Sequence, residues 1–311
     1  MGDLGIMRIL NFGSLNIDYV YRVDTFVKPG ETKSSRSLYI NAGGKGLNQS
    51  IASARAGSRV IHAGLIGTDG EFLVNKLIEN KVITNLMRSA NSVSGHAIIQ
   101  VDDSGQNCIL LYGGTNRMLT EEYVDSTLAS FEKDTLVLVQ NETNLIDYII
   151  QKAHQRGFLV ALNAAPMDVK VLSYPLDLVD WLIINEVEGS QITESKTTSE
   201  ILPILAHRYI GMNVLLTLGK QGAQCLYQGK VFSIASHDVK AVDTTAAGDT
   251  FTGYFLASVL DNLPMGKVLQ QATAASALCV QRPGASDSIP LKFEVDLALN
   301  NNILPMLEVI E

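Results

Sequence analysis

Short runs of Val, Ile and Leu punctuate the chain at Arg8 to Leu15, Val60 to Ile66, Thr135 to Val139, Phe158 to Leu162, Trp181 to Ile184 and Asn213 to Leu218. Runs this uniformly apolar are typical of strands covered on both faces. Between them the period changes to that of amphipathic helices, as in Leu47 to Ala56, Leu145 to Arg156 and Glu200 to Ile210. A glycine follows each of these at once (Gly57, Gly157, Gly211), in the position where helices stop. The alternation predicts an α/β fold: a doubly wound, mostly parallel sheet flanked by helices.

Two stretches break the rhythm. Residues from about 19 to 40 and from about 95 to 113 alternate with period two around turn chemistry at Lys28-Pro29-Gly30 and Asp102-Asp103-Ser104-Gly105. They predict a small β-sheet lid standing off a single domain that spans residues 1–311. Such a sheet exposes an apolar face and free edges, which calls for a cover: substrate, a second subunit, or both. No internal repeat, low-complexity tract or linker divides the chain.

Composition narrows the partners. With 46% hydrophobic residues in 311, the chain can bury a large core. Thirty-two acidic against twenty-four basic residues give a net charge of -8, with no basic run to neutralise a phosphate backbone, so nucleic acid is excluded as a partner. Cys108, Cys225 and Cys279 are isolated and odd in number, which reads as reduced thiols of a cytoplasmic protein. Neither a secretion signal nor a stretch of about twenty apolar residues is present, so no membrane association is expected. Met1-Gly2 opens like a myristoylation signal, but Ile6 stands where that motif takes Ser or Thr, and Met7 serves equally well as a start.

The richest chemistry is in Asp243-Thr244-Thr245-Ala246-Ala247-Gly248-Asp249-Thr250-Phe251, ahead of the helical run Thr252 to Leu260. Small side chains leave the amides of Ala246, Ala247, Gly248 and Asp249 bare at a helix N-terminus, where unpaired N–H groups and the helix dipole attract an anion such as a γ-phosphate. A carboxylate beside that anion can take the proton of an incoming hydroxyl. Read alone, Asp249 is better taken as a helix cap; the extended motif, with a second aspartate six residues upstream, reverses that preference.

Asn41-Ala42-Gly43-Gly44-Lys45-Gly46-Leu47-Asn48-Gln49 ends a lid strand and enters a helix. Its glycines let backbone approach a ligand, and Lys45 and Asn48 can bond sugar hydroxyls; a plain tight turn is the alternative. Gly13-Ser14-Leu15-Asn16-Ile17-Asp18 is placed at the end of the first strand, where ligands of open α/β sheets bind, or is only a solvated turn. No Walker A loop and no G-x-G-x-x-G occurs, which argues against a dinucleotide-dependent oxidoreductase. The five histidines and Trp181 are read as structural.

These three motifs, in this order and across nearly the whole chain, resemble the ribokinase-like (PfkB) carbohydrate kinases, and their wording is similar to the ribokinase branch. The resemblance implies that Asp249 is the base and that Ala246, Ala247 and Gly248 form the anion hole. It places the sugar on Asn16, Asp18, Gly43, Gly44, Lys45, Asn48 and Glu142. It implies magnesium held through water by Asn185 and Glu188, and ATP along Asn185, Thr217, Gly219, Gly222, Gly248 and Thr273. It further implies a monovalent cation, potassium, among Asp243, Thr245, Cys279, Arg282, Gly284 and Ser288, and a homodimer formed through the lids. Leu47, Thr252 and Pro283 depart from the usual wording and bear on the identity of the sugar and on the cation. The expected reaction is transfer of the γ-phosphate of ATP to the primary 5-hydroxyl of ribose or a related pentose. The alternatives are a ketohexose such as fructose, a nucleoside, or a non-catalytic sensor on the same scaffold.

Overall fold

The computed structural model describes residues 7–311; the Met1-Gly2 opening and Ile6 lie outside the described residues. In chain order the strands are β1 (Arg8–Phe12), β2 (Asn16–Arg22), β3 (Ser37–Gly43), β4 (Arg59–Ala63), β5 (Leu65–Ile66), β6 (Arg88–Ser89), β7 (Gly95–Val101), β8 (Asn107–Tyr112), β9 (Thr135–Gln140), β10 (Leu159–Asn163), β11 (Trp181–Asn185), β12 (Asn213–Thr217), β13 (Ala223–Tyr227), β14 (Lys230–Ile234) and β15 (Val309–Ile310). The α-helices are α1 (Lys45–Arg55), α2 (Glu71–Glu79), α3 (Glu121–Leu128), α4 (Ile146–Gln155), α5 (Glu186–Thr193), α6 (Thr198–Arg208), α7 (Ala247–Leu260), α8 (Met265–Val280) and α9 (Lys292–Asn300).

Nine strands form one sheet in the order β15-β14-β13-β12-β11-β10-β9-β1-β4, parallel from β12 to β4 and antiparallel from β12 to β15. Its strands are apolar on both faces because both faces are covered. Ile9, Leu136, Leu138, Ile183 and Leu215 pack with α1, α2, α7, α8 and α9. Their neighbours Leu10, Val137, Val139, Leu182 and Leu216 pack with α3, α4, α5 and α6. The helices end as the glycine pattern implies: Gly57, Gly157 and Gly211 take φ of 108°, 73° and 89°, a region costly for any residue with a Cβ.

The second sheet has the order β3-β2-β7-β8. It is the lid, wider than expected: it starts at Asn16 and runs through Gly43. Asn16 and Asp18 are therefore not in a turn closing the first strand. They lie on β2, a central lid strand, whose Asn16 pairs with Gly43 on one side and Gly95 on the other. The alternation Leu15-Asn16-Ile17-Asp18-Tyr19 is itself a strand signal.

Candidate active site

The parallel strands β9 to β12 have apolar interiors and each ends on a polar residue: Gln140 on β9, Asn163 on β10, Asn185 on β11 and Thr217 on β12. Ligands of open α/β sheets bind at these carboxyl ends. A cavity of about 210 Å³ lies there, lined by Lys45, Asn163, Ala165, Asn185, Glu188, Thr217, Thr244 and the stretch Ala246 to Asp249, with Thr252 one turn further on.

The N-terminus of α7 forms one wall. Ala246 precedes the helix with φ of 60°, a left-handed turn that swings the following amides toward the cavity. Ala247 donates its N–H weakly to the Thr244 carbonyl at 3.3 Å, so that amide is not bare as expected. The first intrahelical bond to this turn is Thr250 N–H to Ala246 O at 2.8 Å, which leaves the amides of Ala246, Gly248 and Asp249 without a partner among the described residues. Gly248 is exposed, and a Cβ built there meets nothing within 4 Å. Asp249 itself is buried and does not cap the helix. Its two oxygens accept from Asn48 Nδ2 at 3.1 Å and Gln49 Nε2 at 2.8 Å.

The loop into α1 forms the facing wall. Gly46 is pressed onto the Gly13–Ser14 backbone, where an added Cβ would come within 2.2 Å of Ser14 N, and Leu47 N–H bonds Ser14 O at 2.9 Å. Gly43 makes room for Asp18: a Cβ there would lie 1.9 Å from Asp18 Oδ2. Glu142 braces the same loop. Its Oε2 accepts the hydroxyl of Ser14 and, at 3.1 Å, the Lys45 amide. Asn116, which the sequence did not single out, clamps both sides of Leu15 and donates to Asn16 Oδ1 at 2.8 Å. Leu47, one of the departures, is fully buried in the core beneath α1 and does not face the cavity.

Electrostatics follow from three carboxylates around one cation, with Asp18 beside one of them. Asp249 above all, then Glu142 and Glu188, hold Lys45 above the ordinary lysine range in spite of its burial. Burial pushes the Glu142 carboxyl up against the pull of Lys45. Burial, assisted by Glu142, pushes Asp18 up to about 7.

The sequence profile of the pfkB family carbohydrate kinases matches residues 7–292. A ribokinase of Haemophilus influenzae is 34% identical over 291 residues, covering 91% of this chain and 95% of its own length. A ribokinase of Staphylococcus aureus is likewise 34% identical, covering 93% and 98%. Among solved structures, Arabidopsis thaliana ribokinase complexed with ribose and ATP superposes with a TM-score of 0.82 at 29% identity, over 93% of this chain and 97% of that one. The chain belongs to the pfkB family of carbohydrate kinases.

Of the residues expected on the nucleotide side, Asn185, Glu188, Thr217 and Gly248 come together on the cavity wall. Asn185 and Glu188 form a capping box on α5: Asn185 Oδ1 accepts from Val187 and Glu188 N–H, both at 2.9 Å, and Glu188 Oε2 accepts from Asn185 N–H at 2.9 Å. The pair lines the cavity and is also structural. Burial pushes the Glu188 carboxyl up despite that bond and Lys45.

Thr217 lines the cavity, whereas Gly219 and Gly222 border a short turn outside its lining. Gly222 has a packing reason of its own, since a Cβ there would fall 2.0 Å from Ile234 O. Thr273 is buried in α8, its hydroxyl has no partner among the described residues, and it is not part of the cavity wall.

The residues expected around a monovalent cation converge just ahead of the N-terminus of α7. Asp243 accepts from the Thr245 amide at 2.9 Å, the Thr245 hydroxyl at 2.6 Å and the Gly284 amide at 3.0 Å. Burial pushes the Asp243 carboxyl up, but these bonds outweigh it and hold it below the usual range. Cys279 Sγ meets Ser288 Oγ at 3.1 Å, and Cys279 O takes Arg282 N–H at 3.1 Å. The Arg282 side chain is turned away, onto Glu294 at 2.7 Å.

Proposed function

We propose that this kinase transfers the γ-phosphate of ATP to the 5-hydroxyl of ribose, with Asp249 as the base. The observation that carries the reading is a buried carboxylate held by two amide donors, beside the bare Gly248 and Asp249 amides, at the mouth of the cavity. The ribokinases that this chain resembles supply the sugar.

Asp249 takes the proton of the sugar hydroxyl as that oxygen forms its bond to the γ-phosphorus. The bond to the bridging oxygen of ADP breaks, and ADP leaves with the electron pair. The Gly248 and Asp249 amides and the dipole of α7 favour the charge on the transferring group.

Asn16, Asp18, Gly43, Gly44, Lys45, Asn48 and Glu142 hold the sugar in this reading. Asn48 Oδ1 is buried with no donor among the described residues, an acceptor that a sugar hydroxyl satisfies. The basic lid residues Lys33 and Arg36 pair with Asp24 at 3.4 Å and Asp103 at 2.6 Å, which favours a neutral sugar over a sugar phosphate.

No group of three or more acidic, His or Cys side chains among the described residues suits a metal ion. Asn185 and Glu188 fit magnesium held through its waters on the phosphates. There the ion would neutralise phosphate charge. For potassium the donors are the Asp243 carboxylate, the Ser288 hydroxyl and loop carbonyls of Thr245, Cys279, Arg282 and Gly284. Thr217 and the turn at Gly219 and Gly222 would lie along ATP, with Thr273 behind them.

A homodimer through the lids is supported by the row Ile40-Tyr19-Ile98-Leu110, which crosses all four lid strands in register and leaves Ile40 and Leu110 56% and 69% exposed. No helix among the described residues is long and apolar enough to cross a membrane, and all three cysteines are free, which supports a cytoplasmic setting.

The test is ADP release with magnesium across ribose, other pentoses, fructose and nucleosides, in potassium and in sodium. Ribose is expected to give the highest kcat/KM. A chain that turns over fructose or a nucleoside faster contradicts the assignment of sugar, and no sugar-dependent turnover at all contradicts the kinase reading.

A further inference from the structure

Behind Asp249 runs a chain of fully buried polar side chains that contact neither cavity nor solvent: Gln49, Gln140, Asn11, Ser50 and His62, all at 0% exposure. They come from α1, β9, β1 and β4. Gln49 Nε2 donates to Asp249 Oδ1 at 2.8 Å, and Gln49 Oε1 accepts from Gln140 Nε2 at 2.9 Å. The same Gln140 amide donates to Asn11 Oδ1 at 3.0 Å. Asn11 Nδ2 donates to Ser50 Oγ and to Gly46 O, both at 2.8 Å. Ser50 Oγ meets His62 Nδ1 at 2.8 Å, and His62 Nε2 meets Gly13 O at 3.1 Å.

The two ends fix the direction of every bond between them. Gly13 O can only accept, so His62 Nε2 carries a proton. Burial pushes His62 down to about 4, so the ring is neutral and its Nδ1 accepts. Ser50 must then donate to the ring and accept from the Asn11 amide. That turns Asn11 Oδ1 toward Gln140, which turns Gln140 nitrogen toward Gln49 Oε1. Gln49 is left with its N–H pointing at Asp249, a carboxylate that can only accept. Flipping any one amide would set oxygen against oxygen. Gln140 keeps this polarity although its own Oε1 is buried with no partner among the described residues, a cost to stability that an apolar side chain would not carry.

We infer that Gln49, held in a single orientation by Gln140 and Asn11, is a positioning residue that aims the Asp249 carboxylate at the sugar hydroxyl. It touches no substrate; its effect passes through Asp249. Asn48, which holds the other oxygen of Asp249, faces the sugar side and is adjustable, since its own Oδ1 is free to bond ligand. Gln49 sets the fixed edge and Asn48 the ligand-responsive one.

The inference rests on the kinase reading, so wild-type ribose-dependent ATP turnover is the control: its absence overturns that reading and this one with it. Given turnover, kcat and KM for ribose and ATP are measured for Gln49→Met, for Gln49→Asn, which keeps an amide but withdraws it, and for Gln140→Met, which does not touch Asp249. A lost hydrogen bond to a charged group predicts kcat down roughly ten- to hundredfold for Gln49→Met. Smaller losses are expected for the other two, with both KM values within about twofold. Residues acting as one unit are non-additive, so Gln49→Met combined with Asp249→Asn should be no slower than Asp249→Asn alone. A merely structural role would lower the melting temperature and add its loss in full to that of Asp249→Asn. That result overturns the inference, as does any folded Gln49 variant whose kcat stays within twofold of wild type.

Discussion

Asp249 and Asp18 flank the same loop, the one that leads into α1, but are held in opposite ways. Asp249 sits on a fourteen-residue helix packed in the core, and both its oxygens already accept bonds from α1. Asp18 sits on a lid strand, with no hydrogen-bond donor to its carboxyl among the described residues, only the space left by Gly43. Burial and Glu142 push it up to about 7. In the proposed function the difference separates two tasks, those of a base and of a sugar anchor. A base must be aimed before substrate arrives, because misplacement costs rate. An anchor is completed by the ligand, whose hydroxyls supply the donors that favour its ionised form.

The comparison can be broken first on the rigid side. Gly248→Val adds a branched side chain where a Cβ meets nothing within 4 Å, so the fold should tolerate it. The side chain would occupy the space facing the anion donors, and kcat is expected to fall roughly 10²- to 10³-fold, the scale of a lost oxyanion donor. Thermal melting and steady-state rates measured on one preparation check this. A variant with normal kcat would place the transferred phosphate elsewhere.

The responsive side is sharpened by pH. Below about 7 the Asp18 carboxyl carries a proton, loses its charge and turns one acceptor into a donor, so ribose KM should rise as pH falls through 7 and level off above it. The rise should total about tenfold, the loss expected when the charged acceptor is removed. Asp18→Asn should raise KM about tenfold at pH 8 and flatten the profile, as expected when a hydrogen bond to a charged group is lost. A wild-type KM that does not change between pH 6 and 8 would contradict the raised carboxyl.

Local chemistry was legible in the chain wherever one segment carries it. The apolar runs report burial on both faces, the glycines report helix ends, and Ala246 to Asp249 report a helix N-terminus open to an anion. Asn16 and Asp18 are read at the end of the first strand, or in a solvated turn, because the apolar run Arg8 to Leu15 conceals that β1 ends at Phe12 and that a new strand begins at Asn16. The antiparallel edge β13 to β15 was also missed, although Gln228-Gly229, with φ of 50° and 79°, is a two-residue hairpin turn between alternating strands. Gln49, Gln140 and Asn11 could not be found this way. Each is an unremarkable amide in its own segment, and only the fold brings them into line behind Asp249. Thr273 and the Gly219 turn were carried by resemblance alone, and their geometry does not reach the cavity wall.

The most direct test of the account is Asp249→Asn, an isosteric change that keeps the cavity and removes the base. Calorimetry should find ribose and ATP bound within about threefold of wild type, and rapid-quench single turnover should find transfer slowed by roughly three orders of magnitude or more. Near-normal single-turnover transfer in a variant that binds both substrates would contradict it.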